Sequence, residues 1–125
     1  MKNRELNVLL VEDSRSDAAL VQRMLSDSSP FNTYRFVQAS RLSDAIDAAQ
    51  KETFDIALLD LHLLDIDGIA AVSALHASIP TTPIIVYSGT DDPQLRQQAA
   101  LCGARHYLVK GKESGYAIRF MIEQS

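Results

Sequence analysis

Short apolar runs alternate along this chain with stretches in which apolar residues recur every three or four positions. The runs lie at residues 6–11, broken only by Asn7, and at 56–59, 83–88 and 106–109. Runs this short are the pattern of strands covered on both faces in a parallel sheet. Residues 34–39 alternate instead, with Tyr34, Phe36 and Gln38 on one face and Arg35, Val37 and Ala39 on the other. Helical stripes fill the intervals. They are Ala18, Val21 and Leu25; then Leu42, Ala45, Ile46 and Ala49; then Ile69, Val72, Leu75 and Ile79. A thin stripe of Leu95, Ala99 and Cys102 follows, and Ala117, Ile118, Met121 and Ile122 form the last.

The punctuation agrees with these elements. Ser14 or Ser16 can cap the first helix, Ser40 the second, Asp67 the third and Asp92 the fourth, with Pro93 at its first helical position. Pro80 and Pro83 end the third helix, and Gly103 takes the usual position just past the fourth. A turn is expected at residues 28–32, and Phe31, Phe36 and Phe120 are expected to pack in the core or at its edge. Five strands alternating with five helices predict parallel pairing, right-handed crossovers and helices on both faces. The expected fold is α/β, a doubly wound five-stranded parallel sheet in a three-layer sandwich, with residues 1–125 as a single domain.

This topology gathers polar residues that are far apart in sequence. Glu12 and Asp13 follow the first strand, Asp60 the third, Ser88 ends the fourth and Lys110 follows the fifth. All fall at the carboxyl edge of the sheet, where open α/β folds place their ligands. Taken singly, each has a plain reading: a helix cap, a loop carboxylate, a turn serine, a solvated lysine. Their shared edge favours chemistry. Three converging carboxylates repel one another unless a cation neutralises them, and an all-oxygen set suits a hard ion such as Mg²⁺. Lys110 supplies a fixed positive charge of the kind that stabilises a phosphoryl group in transfer. Ser88 can donate to a phosphoryl oxygen, and Gly89 leaves room for the group to approach. Asp60 is then a carboxylate nucleophile, a known route to an aspartyl phosphate.

Composition narrows the alternatives. The 16 acidic against 12 basic residues, with no two Lys or Arg adjacent, argue against a nucleic-acid surface. Cys102 is the one cysteine, which excludes an intrachain disulfide, fits a reducing cytoplasm and suggests a packed residue. The first apolar run is too short for a membrane span or a secretory signal. His62 and His106 have no second imidazole or thiolate at metal-ligand spacing and read as surface or strand residues, while His76 is expected to face out of its helix.

Glu12-Asp13, Asp60 with Gly68 eight residues on, Ser88 and Tyr107-Leu-Val-Lys110 together resemble the response-regulator receiver domain, the CheY-like family, over essentially the whole chain. The resemblance implies a phosphorelay module whose Asp60 takes a phosphoryl group from the phosphohistidine of a histidine kinase or phosphotransfer protein. It implies Mg²⁺ held by Asp13 and Asp60, by the backbone carbonyl of His62, and by Glu12 through water. Ser88 and Tyr107 become switch residues that repack the surface of the fourth helix, fifth strand and fifth helix. His62 and Thr90, two residues past the acceptor and the hydroxyl, tune water access and hence the lifetime of the phosphorylated state. Such a domain is a switch that catalyses only its own phosphorylation and dephosphorylation. By the likeness alone, the chain is either a free-standing receiver or the N-terminal part of a longer protein with an output domain, and a homodimer through the same surface is an expectation of the family.

Several positions depart from the family pattern. Leu64 and Gly111 stand where proline is usual, Glu12 where Asp is commoner and Ser88 where Thr is. A cis bond before glycine costs ~2.5–4 kcal/mol, so the Lys110–Gly111 peptide is expected trans. Two other functions compete. Asp65-Ile-Asp67-Gly68 mimics the nucleophile motif of haloacid-dehalogenase phosphatases, with Asp65 attacking and Asp67 as acid/base, but the strand already ends at Asp60. A receiver-like docking module that needs no phosphorylation is the other. A flavodoxin-type cofactor binder would need a glycine-rich loop after the first strand, and none follows.

Overall fold

The computed structural model describes residues 4–28 and 32–125. The elements run β1 (Glu5–Val11), α1 (Arg15–Ser28), β2 (Thr33–Ala39), α2 (Leu42–Lys51), β3 (Ile56–Leu59), α3 (Ala70–Ser78), β4 (Ile84–Ser88), α4 (Pro93–Leu101), β5 (His106–Val109) and α5 (Gly115–Gln124). All strand pairs are parallel, in the order β2-β1-β3-β4-β5. Of the turn expected at 28–32, Ser28 is the last residue of α1, and 29–31, with the packing of Phe31, lie outside the described residues.

Strand periodicity splits the core in two. Leu9, Val11, Ala57, Leu59, Ile84, Val86 and Val109 point to one face, where Ala45, Val72, Leu75 and Ala99 of α2, α3 and α4 cover them. Val8, Leu10, Ile56, Leu58, Ile85 and Leu108 point to the other, under Ala18, Val21 and Leu25 of α1 and Ile118 and Ile122 of α5. Every residue of β3 and β4 is buried, which is why 56–59 and 84–87 read as unbroken apolar runs. At the start of α5, Gly115 allows close approach to α1: a Cβ there would lie 2.8 Å from the Met24 carbonyl oxygen.

The elements match the hydrophobic pattern, and the corrections concern caps and two side chains. Ser14, Asp92 and Ser114 cap α1, α4 and α5, accepting from the backbone N–H of Asp17, Gln94 and Ala117. Ser40 does not cap α2. The N-cap position is Arg41, with no side-chain bond of its own. The carboxylate of Asp65 does the work from a distant loop, accepting from Leu42 N at 2.9 Å and Ser43 N at 3.1 Å. Nor does Asp67 cap α3, which begins later, after Ile69. A bridge within the β3–α3 loop, between His62 and Asp67, engages that segment ahead of the helix. His76 does not face solvent freely. Its ring packs against Gly103, where a Cβ would come within 2.6 Å of it. Phe120 is exposed rather than packed, because the buried stripe of α5 runs through Ile118 and Ile122. Cys102 is partly buried against the core, as expected. No peptide bond is cis among the described residues, and Gly111 sits at φ 84°, a left-handed conformation that favours glycine. Among the described residues no helix is long and apolar enough to cross a membrane.

Candidate functional site

The outermost ladder hydrogen bonds run one residue past the strands and fix the backbone of the polar cluster. Glu12 N donates to Ala39 O at 2.9 Å, Asp60 N to Val11 O at 2.9 Å, and Lys110 N to Ser88 O at 2.8 Å. Each side chain therefore leaves a position set by the neighbouring strand. Buried polar residues, among those described, are Glu12, Asp60 and Ser88. A sheet edge that buries polar groups in an otherwise apolar core does so at a cost that only pairing or ligation offsets.

The carboxylates of Glu12, Asp13 and Asp60 converge, each offering an oxygen within 4.8 Å of the others. Lys110 Nζ lies among them, 2.5 Å from Glu12 Oε1, 2.8 Å from Asp17 Oδ2 and 3.3 Å from Asp60 Oδ2. It also sits 5.8 Å from the centre of the Tyr87 ring. Burial pushes the Glu12 carboxyl up to about 7, and the nearby Asp60 adds to this against the pull of Lys110. Burial works to lower the Lys110 ammonium, but Asp17, Glu12 and Asp60 overcome it and hold the group above the ordinary lysine value. The lysine is firmly charged. The donor set is all oxygen and carries excess negative charge, and the adjacent lysine cannot ligate a metal, so the site fits a hard divalent cation beside a fixed ammonium.

Two loops form the rim of this cluster. His62 N donates to Asp60 Oδ1 at 3.3 Å. The His62 ring joins Asp67 Oδ1 through Nδ1 at 2.7 Å and Thr90 Oγ1 through Nε2 at 3.2 Å, linking the loop after β3 to the loop after β4. Thr90 is held twice more. Its N–H donates to Ser88 Oγ at 3.2 Å, and its carbonyl accepts from the Tyr107 hydroxyl at 2.6 Å. Tyr107 is buried, with the Arg96 guanidinium 5.1 Å from its ring centre and bonded to its carbonyl at 3.1 Å. Burial raises the Tyr107 hydroxyl above its ordinary value. Arg96 also approaches Asp91, which pairs with Lys112.

The family can now be stated. A model of the response regulator receiver domain matches residues 8–116. The chain belongs to the response regulator receiver domain family. Among curated relatives, the cell cycle transcriptional regulator CtrA of Caulobacter vibrioides is 30% identical over 105 residues, covering 84% of this chain and 44% of CtrA. The transcriptional regulatory protein ZraR of Escherichia coli is 24% identical over 110 residues, covering 88% of this chain and 24% of ZraR. The chain therefore spans less than half the length of these relatives. Among solved structures, the chemotaxis protein CheY4 of Vibrio cholerae superposes with a TM-score of 0.80 at 25% identity, over 96% of this chain and 98% of that one.

The receiver fold gathers Glu12, Asp13, Asp60 and Lys110 into one cluster, sets Ser88 beside Lys110 through a backbone hydrogen bond, and links Ser88 to Thr90, and Thr90 to both Tyr107 and His62. It leaves out the pair that suggested a phosphatase. Asp65 is exposed and engaged in capping α2, and Asp67 holds His62. One residue in contact with this cluster was missed. Asp17, in the first turn of α1, binds Lys110. Its one sequence signal was the spacing Ser14-x-x-Asp17, which resembles a capping box and points to a structural role instead.

Proposed function

We propose that this receiver domain accepts a phosphoryl group on Asp60 and works as the switch of a two-component phosphorelay. The observation that carries the reading is Asp60 itself. It is a buried carboxylate at the end of the central strand, with Lys110 Nζ at 3.3 Å and two further carboxylates within 4.8 Å. Nothing structural requires so much charge in so little solvent.

In this reading an Asp60 carboxylate oxygen attacks phosphorus, a P–O bond of an acyl phosphate forms, and the P–N bond of the donor phosphohistidine breaks. The electron pair leaves with the imidazole. Mg²⁺ would be held by Asp13 and Asp60, by Glu12 through water and by the His62 carbonyl, and when bound supplies charge neutralisation for the carboxylates and the transferred group. Lys110 donates to a phosphoryl oxygen and stabilises the charge that develops there. The Ser88 hydroxyl donates to another. Ser88 also holds Thr90, and Thr90 holds Tyr107, so movement at Ser88 reaches the surface of α4, β5 and α5 through three hydrogen bonds. The His62–Thr90 bond spans the mouth of the site and governs the approach of hydrolytic water. The donor is a histidine kinase or phosphotransfer protein of the cytoplasm. The output domain or protein, and any homodimer, engages the α4-β5-α5 surface.

The test is intact mass after incubation with acetyl phosphate and Mg²⁺, for wild type and Asp60→Asn. One added phosphoryl group on wild type alone, lost when Mg²⁺ is chelated, is expected. Labelling of the variant as well would remove Asp60 from its role. A wild type that neither gains mass nor binds beryllofluoride would favour a docking module that needs no phosphorylation.

A further inference from the structure

Asp17 has two ordinary jobs available at the N-terminus of α1, and it performs only part of them. A carboxylate in the first turn is favoured by the helix dipole. In a capping box it would also reach back to the backbone N–H of the capping residue. Half of that box is present: Ser14 Oγ accepts from Asp17 N at 3.2 Å. The other half is taken, because Ser14 N donates to Glu12 Oε2 at 3.2 Å. The Asp17 carboxylate turns instead to Lys110 Nζ at 2.8 Å.

That contact completes the coordination of the lysine. An ammonium has three N–H donors, and Lys110 gives them to Glu12, Asp17 and Asp60. The bond to Asp60 is the longest of the three, at 3.3 Å, so a phosphoryl oxygen on Asp60 that takes that donor into a strong contact must draw the ammonium away from its nearer partners. Glu12 is buried, and its oxygens are fixed by Lys110 and by Ser14 N. The Asp17 side chain is 44% exposed, so water can replace the lysine there at little cost. Asp17 is the partner that can let go. Until it does, Lys110 is drawn toward α1 and sits 0.5 Å closer to Asp17 than to Asp60, by the distances 2.8 and 3.3 Å.

We propose that Asp17 is a positioning residue that restrains Lys110, so that occupying Asp60 requires exchange of the Asp17–Lys110 ion pair for a bond from Lys110 to the phosphoryl oxygen. The proposal rests on Asp60 being the phosphoacceptor. It makes the receiver harder to phosphorylate than the same site without Asp17, and it couples occupancy of Asp60 to the first turn of α1.

The test is calorimetric titration of beryllofluoride in the presence of Mg²⁺ on wild type, Asp17→Asn and Asp17→Glu, with Mg²⁺ alone titrated in parallel. A partly exposed ion pair contributes up to about 1 kcal/mol, so beryllofluoride should bind about fivefold more tightly to Asp17→Asn. Acetyl phosphate should label that variant faster by a similar factor. Asp17→Glu, which keeps the charge, should return both values toward wild type, and Mg²⁺ affinity should be equal in all three. Should Asp17→Asn fail to fold, Asp17→Ser takes its place. Unchanged or weaker beryllofluoride binding in a folded variant overturns the proposal, as does an equal change in Mg²⁺ affinity. Failure of wild type to bind beryllofluoride overturns the phosphoacceptor reading with it, whereas wild-type binding with no effect of Asp17 removes this inference alone.

Discussion

At the scale of single residues the site is a stored electrostatic conflict. Three carboxylates are bonded to one ammonium, and a fourth, Asp13, crowds two of them. Such arrangements are kept for function at the expense of stability. Asp13→Asn should therefore stabilise the metal-free domain, on the order of 1 kcal/mol in urea unfolding, by relieving repulsion from Glu12 and Asp60. The same change should weaken Mg²⁺ binding. A less stable variant would mean that Asp13 holds the loop rather than burdening it. The departures from family pattern also resolve at this scale. Gly111 adopts φ 84° after Lys110, so a residue type suited to that backbone stands where proline is usual. Leu64 is largely exposed, and the structure gives no further account of it.

At the scale of elements, the loop after β3 does more than connect. It sends Asp65 to cap α2, Asp67 to hold His62, and His62 to reach Thr90. Asp65→Asn should lower the melting temperature by removing the charged part of the α2 cap. The pH dependence has a definite sign. The backbone N–H of Leu42, and then that of Ser43, hold the Asp65 carboxyl below its ordinary 3.8. Its contribution is present above the unfolded value and is lost as pH falls through the lower folded value. The melting difference between wild type and Asp65→Asn should thus be full near neutrality and vanish in strong acid. A constant difference across that range would assign the effect to packing instead. Screening at this exposed site keeps the effect small.

At the scale of the whole molecule, the doubly wound sheet turns separate strand ends into one site, and folding and ligation become linked. A cation bound only by the folded cluster stabilises it by mass action. At about ten times its Kd, Mg²⁺ should add about 1.4 kcal/mol, a rise of a few degrees in melting temperature that a chelator reverses. Asp13→Asn should abolish that rise. An equal rise in the variant would place the ion elsewhere.

The sequence by itself determined the layers and the sheet edge at which the polar residues gather. Buried strands announce themselves as apolar runs because both faces are covered, and helices by their stripes, so the strand ends could be located to within a residue. Residues on those ends, Glu12, Asp60, Ser88 and Lys110, inherit their place from topology, which made the cluster legible. What depended on distance in space was not. Asp65 as the cap of α2, His62 as a bridge to Thr90, His76 against Gly103 and Asp17 on Lys110 are contacts between elements, and no local period encodes them. Local rules assigned each residue its nearest partner: Ser40 to α2 and Asp67 to α3. Tertiary structure offered stronger ones, because a carboxylate satisfies any N–H or ammonium within reach, whatever its place along the chain.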